Sequence, residues 1–427
     1  MGSNSVGISD IALYIPSQRV ELETIVEKRV ADDPGLERRL RRALETTGQV
    51  AIRFPETYQD TATLAAQAAR KVITSNQDFD PSTIRYLAVG TETSIDMSKP
   101  VAAYVEGMLQ KSGVPVPTSL STFQVQHACA GGTISLLSVA AMLNMSSRGS
   151  DTGVVICSDI ARYDAPSTAE ITQGAGAVAL RVERDPKLLE LDLSTVGYSS
   201  QDVDDFFRPL GSVTAKVKGG YSIQCYHEAL EAAFLDHCER RGEDPQEVLE
   251  NTDMLVLHVP FMKMGFLGAE RLVTKILGCT QEEADVYLAE RGFPSSVNPT
   301  AEIGNIYTGS AYLALTFLLR DRYEVFGDDI VGKRVLFSSY GSGNTMSVFS
   351  ATVAAGAPEI ISSWHLEHSL NGKRVSSIQE YEKWITTSSF KPAEATPAQG
   401  VHPGLYYLEG IREDGYRQYG YKPALTS

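Results

Sequence analysis

The stretch from Phe123 to Leu143 constrains the fold of this chain most. A β-type run containing Phe123 and Val125 leads to Cys129. Small residues follow (Ala130, Gly131, Gly132), then an apolar segment with too few polar residues for a surface helix. The pattern predicts a strand, a tight turn and a buried helix carrying a cysteine at its N-terminus. Free amides and the positive end of the helix dipole there predict a lowered thiol pKa. A structural core cysteine is the plainer alternative. Gly131-Gly132, read as letting a substrate approach the backbone closely, favours a nucleophile.

At 427 residues the chain exceeds the usual limit of one core, so two domains or a duplicated domain is expected. Charged residues make up 21% and the net charge is −15, with Lys and Arg dispersed, which argues against nucleic-acid binding. No 18-residue apolar span is expected, and Met1-Gly-Ser-Asn-Ser5 does not read as a signal peptide. Five cysteines (Cys129, Cys157, Cys225, Cys238, Cys279) show no disulfide-like or CxxC spacing. They predict reduced thiols, a cytoplasmic setting and no metal site.

In chain order, residues 6–15 read as a first strand. A Glu- and Arg-rich segment from Glu21 to Arg42 reads as helical and exposed. Its Arg38, Arg39, Arg41 and Arg42 suit a solvated face, with a ligand-phosphate contact as the alternative. Asp60 caps a helix running to about Thr74. The strand Ile84–Val89 ends at Glu92, where open α/β sheets place ligands, although a plain loop glutamate fits that evidence equally. Val101–Leu109 and Tyr221–Cys238 read as helices. Thr172 to Leu180 is glycine-rich but lacks a following helix, so a dinucleotide fingerprint is rejected.

The second half repeats the plan. Met254–Phe261 is a strand with His258 at its end. Ile303–Leu315 passes from small residues into a buried helix, with Asn305 near the place of the cysteine, and Arg334–Asn344 answers Val154–Gly176. Two similar α/β halves follow, residues 1–190 and 191–427. The tail from Ala355, with both tryptophans, is an appended helix and loops rather than a third domain. A thiol, an imidazole, an amide and a separate carboxylate (Cys129, His258, Asn305, Glu92) together suit acyl transfer followed by proton abstraction beside a thioester.

Seven motifs then resemble hydroxymethylglutaryl-CoA synthases in family order. They are Val89–Lys99, His127–Thr133, Phe206–Pro209, Ser222–Tyr226, Leu257–Lys263, Gly304–Ser310 and Ser339–Gly343. The resemblance implies a thiolase fold, a five-layer α-β-α-β-α sandwich of two halves, usually homodimeric. It implies that Cys129 carries an acetyl group from acetyl-CoA, that Glu92 removes its methyl proton, and that His258 polarises the ketone of acetoacetyl-CoA. It further assigns Asn305 and Ser342 to the acyl-binding side, Thr172, Ser222 and Lys263 to CoA, and Tyr340 to substrate binding. Asp96, Asp159 and Asp205 become supporting acids. CoA thioesters are substrates, so no cofactor and no metal is implied. Departures are Ala130, where many members carry tyrosine, Val259, where serine is frequent, and a missing second lysine beyond Lys263.

Three alternatives compete: a polyketide β-branching enzyme with an acyl-carrier-protein donor, a decarboxylative ketoacyl synthase, and a non-enzymatic scaffold. Glu92 separates the first reading from the ketoacyl synthase, which needs no carboxylate base.

Overall fold

A computed structural model describes residues 5–387 and 396–425. The reading of Met1–Asn4, and the parts of the tail at 388–395 and 426–427, lie outside the described residues. Strand alternation builds the layers. In Ile84–Gly90, Leu87 and Val89 enter one cluster while Ala88 enters another on the opposite face. In Gly174–Arg184, Ala175, Ala177 and Ala179 face the first cluster while Val178, Leu180 and Val182 face the second. Both faces are apolar, so the sheet must be covered on both sides.

The N-terminal sheet runs Ser121–Val125, Ile84–Gly90, Thr152–Ala161, Gly174–Arg184, Val6–Tyr14. The first three strands are parallel and the last two pairings are antiparallel. Met254–Val256, Arg334–Gly341, Thr345–Val353 and Gly197–Ser200 form the second sheet, with one parallel pairing followed by two antiparallel ones. Apart from the extra edge strand Ser121–Val125, the order and directions of the two sheets coincide. Leu189–Leu191 stitches them together, pairing with Val6–Tyr14 on one side and Thr345–Val353 on the other.

Helices Thr61–Thr74 and Val101–Lys111 cover the outer face of the first sheet. Asp60 caps the former, accepting from the Ala62 and Thr63 amides. Helix Gly219–Arg241 packs on the second sheet. Between the sheets lie Gly131–Met145 and Ser310–Phe326, where the Thr133 and Tyr312 hydroxyls meet at 2.8 Å. These five layers form the thiolase-like sandwich. Leu136, Val139, Ala140 and Leu143 of the middle layer are fully buried, so Leu136→Ala would cost about 2–5 kcal/mol.

That middle helix corrects one expectation. Residues Ala128–Met145 are, by length and composition, apolar enough to cross a membrane. Their apolar character serves burial between two sheets, which demands the same composition as lipid. The glycines also act differently from the expectation. A Cβ on Gly131 would lie 2.6 Å from the Val125 carbonyl oxygen, and one on Gly132 would lie 2.3 Å from Cys157 Sγ. They admit neighbouring strands, and neither lines the ligand cavity.

The charged segment becomes strand Gln18–Glu21 followed by helices Leu22–Asp32 and Glu37–Thr47. The described tail holds three short helices and a hairpin, Tyr406–Ile411 with Arg417–Tyr421. Tyr406 and Tyr419 close the outer N-terminal cluster, and Trp384 packs with Phe54 at 5.3 Å.

Candidate active site

Two central helices are entered in the same way. Ala128, three residues before Gly131, has φ 41°, and Tyr307, three residues before Ser310, has φ 46°. A non-glycine residue in the left-handed region is costly and forces an abrupt turn. In the first half this turn presents Cys129 to a cavity. The counterpart of Cys129 in the second half is therefore Thr308 rather than Asn305, because each stands one residue after the left-handed residue and two before its helix.

The cavity holds about 500 Å³. Cys129, Thr172, Ser222, His258, Asn305, Tyr340 and Ser342 all line it. Sequence reasoning named these seven from six separate segments, and the fold brings them together. Asn305 is held by its Oδ1, which accepts from the Tyr307 amide at 2.8 Å and the Ser310 hydroxyl at 3.0 Å. Its amide nitrogen is left to meet a ligand. Asp205 stands behind the opposite wall, accepting from the Ser222 and Tyr340 hydroxyls at 3.0 Å each and from the Gly343 amide at 2.9 Å.

Glu92 lies on the far side of Cys129. Cys129 Sγ donates towards its Oε2 across 3.9 Å, while Arg208 donates to its Oε1 at 2.8 Å. Asp159, fully buried, sits beneath. Its Oδ1 accepts from the Glu92 amide and from Thr91 and Thr93, and its Oδ2 accepts from the Thr308 amide and hydroxyl. One carboxylate thus fastens the loop after Gly90 to the helix entry of the other half.

Burial pushes the Glu92 carboxyl up to about 7, with Arg208 pulling it down and the Asp159 charge pushing it further up. Burial also raises the Cys129 thiol well above its ordinary value, and the Glu92 and Asp159 carboxylates add to this. The expected thiolate-favouring helix end is outweighed. Cys129 lies two residues before the helix begins and faces two carboxylates, so the resting group is a neutral thiol. His258, buried, is pushed down to about 3 by burial alone and is a neutral imidazole at physiological pH.

Two predicted residues lie elsewhere. Asp96 is outside the cavity lining, where it accepts from the Ser98 and Lys99 amides and the Tyr104 hydroxyl and ties down its own turn. Lys263 is exposed beside the mouth, its Nζ donating to the Glu45 carbonyl at 2.6 Å. Neighbouring Ala43, Thr46 and Thr47 do line the cavity. Arg41, by contrast, pairs with Glu23 and Glu37 on a solvated face. Arg208 was missed as a site residue although it lies within the Phe206–Pro209 motif. No spacing signal in the sequence ties it to Glu92, 116 positions away.

A thiol-bearing turn at the head of a central helix, in a double-sheet sandwich of this order, points to the class of thiolase-like acyltransferases. Residues 3–186 match the family described as hydroxymethylglutaryl-coenzyme A synthase N terminal, and residues 189–275 and 270–422 match its C-terminal counterpart. The chain belongs to the hydroxymethylglutaryl-CoA synthase family. It is 31% identical over 378 residues to the hydroxymethylglutaryl-CoA synthase of Enterococcus faecalis, covering 88% of this chain and 91% of that one. The solved structure of MvaS in complex with 3-hydroxy-3-methylglutaryl coenzyme A superimposes with a TM-score of 0.84 at 35% identity, covering 98% and 99% of the two chains. The HMG synthase of the curacin biosynthetic pathway, solved in complex with acetyl donor-ACP, shares the fold with a TM-score of 0.85 at 23% identity, covering 98% and 100%.

Proposed function

We propose that this protein condenses acetyl-CoA with acetoacetyl-CoA and water, giving 3-hydroxy-3-methylglutaryl-CoA and free CoA, as a step of the mevalonate pathway. The observation that carries the reading is the Cys129 thiol placed between the Glu92 carboxyl and a cavity that also holds His258. The relatives' names and the HMG-CoA-bound structure support the same substrates.

Cys129 attacks the acetyl thioester, and its proton goes to the departing CoA thiolate, which leaves as free CoA. Glu92, ionised, takes a proton from the acetyl methyl group, the carbanion attacks the ketone carbon of acetoacetyl-CoA, and the proton held by Glu92 is available to the new alkoxide. A buried neutral His258 serves as a hydrogen-bond donor to the ketone oxygen that becomes the tertiary alcohol. Water then cleaves the Cys129 thioester. Asn305, Tyr340 and Ser342 position the acyl part, and Thr172 and Ser222 position the pantetheine arm. Lys263 at the mouth meets the phosphates, and Asp159 and Asp205 hold the two walls. No resident cofactor is required.

Five unpaired cysteines support a reducing, cytoplasmic setting. Edge strand Ser121–Val125 pairs on one side only among the described residues, which supports a homodimer formed by continuing the sheet.

The test is incubation with radiolabelled acetyl-CoA, mapping of the label to Cys129, then a chase with acetoacetyl-CoA that moves it into 3-hydroxy-3-methylglutaryl-CoA. Absence of label on Cys129 would defeat the reading. A clear preference for an acetylated carrier protein would replace the donor and leave the chemistry.

A further inference from the structure

We infer that Arg208 is a positioning residue that keeps the Glu92 base ionised and aimed at the acyl group on Cys129. The inference rests on the proposed condensation and deepens it.

Arg208 belongs to the second half of the chain, at the end of the two-residue strand Phe206–Phe207, which pairs with Lys216–Val217. This hairpin reaches across to the first half. Its Phe206 lines the ligand cavity and packs edge-on to Tyr163 and Tyr307. The Arg208 guanidinium is fixed from two directions. One Nη donates to the Val213 carbonyl within the same hairpin, and the other donates to Glu92 Oε1 at 2.8 Å. The carboxylate cannot turn without breaking that bond, which leaves Oε2 as the oxygen facing Sγ.

The pairing also answers an electrostatic problem. Glu92 is 8% exposed and Asp159, which carries a second carboxylate, is fully buried directly beneath it. Two carboxylates this close in a desolvated site cannot both stay ionised without a cation. Asp159 already accepts six hydrogen bonds and contacts no basic side chain among the described residues. The cation beside the pair is Arg208, bonded to Glu92.

Glu92 and Arg208 also line a second cavity of about 100 Å³, behind the catalytic one, with Thr93, Ser94, Arg162 and Ser212. The Cys129 side is thus one face of the base and the Arg208 side the other. A base that is buried, ionised and held by one oxygen is a base set by its partner.

The experiment isolates the condensation step. Enzyme acetylated on Cys129 is mixed with acetoacetyl-CoA in single turnovers across pH, for wild type, Arg208→Lys and Arg208→Met. Arg208→Met should move the acid limb of the condensation rate upward by about 1–3 pH units, the shift expected from removing an adjacent opposite charge. The rate should recover at high pH, and Arg208→Lys should return the limb part of the way. A merely structural arginine would lower the rate without moving the limb. An unmoved limb in both variants would overturn the assignment. Should Arg208→Met fail to fold, Arg208→Lys against Arg208→Gln gives the same comparison. Failure of wild-type Cys129 to accept acetyl would count against the condensation itself, whereas normal loading with an unmoved limb counts against Arg208 alone.

Discussion

The two walls of the cavity come from halves with the same strand order and differ in their electrostatics. In the first half, the loop after Ile84–Gly90 presents a carboxyl and the helix entry presents a thiol, with a second carboxylate underneath and Arg208, contributed by the second half, alongside. In the second half, the segment after Met254–Val256 presents a neutral imidazole, and the helix entry presents Thr308, whose hydroxyl is taken up by Asp159 and the Gly90 carbonyl. One plan therefore yields a proton-moving wall and a hydrogen-bonding wall. The difference lies in what each half presents: the first sets a carboxyl and a thiol above a second carboxylate, whereas the second presents a neutral imidazole and keeps its carboxylate, Asp205, behind the wall under the Ser222 and Tyr340 hydroxyls. A carbon–carbon bond-forming site requires this asymmetry, since one substrate must lose a proton while the other keeps its carbonyl polarised.

The comparison breaks most completely at Cys129. Cys129→Ala should show no covalent label after incubation with radiolabelled acetyl-CoA, because Thr308 cannot substitute from its buried position. Glu92→Ala should still acetylate Cys129 yet lose condensation by about 10²–10⁴ or more, the range for loss of a general base. Normal turnover in that variant would instead favour decarboxylative chemistry.

A pH profile sharpens the contrast between the walls. In the proposed role of base Glu92 must be ionised, and its carboxyl is raised to about 7. Condensation should therefore fall about tenfold per pH unit below that value. His258, held neutral down to about 3, should add no limb near pH 6.5. The same group carries a stability signature of the opposite sense. With its folded value above the ordinary 4.5, the folded state binds the extra proton, so Glu92 makes stability fall as pH rises from about 4.5 to 7. Denaturation midpoints of Glu92→Gln against wild type across that window would reveal it.

The smallest effect concerns the tie between the walls. Thr308→Val removes one donor from the buried Asp159 and should cost about 1–3 kcal/mol in chemical denaturation. It should leave acetyl loading measurable.

Much of this site was legible in the sequence, for different reasons in different places. Cys129, Glu92, His258 and Asn305 stand at element ends, where hydrophobic periodicity stops and small or polar residues begin, and those breaks are visible without coordinates. The apolar run from Ile134 to Leu143 dictated a buried helix, and the alternating and continuous apolar strands dictated layers, because desolvation depends on composition alone. Periodicity does not tell a helix between two sheets from one in lipid, and that distinction came from the sheets themselves. The ionisation of the groups was likewise beyond the sequence. A helix end argues for a thiolate at Cys129, but the neighbours that reverse the argument lie 37 and 30 positions away in Glu92 and Asp159. Only the tertiary structure set Arg208 against Glu92 and paired Thr308 with Cys129 across the two halves. Chemistry at a position can be read from the residue and its local pattern, whereas its charge state depends on what folding places within a few ångströms of it.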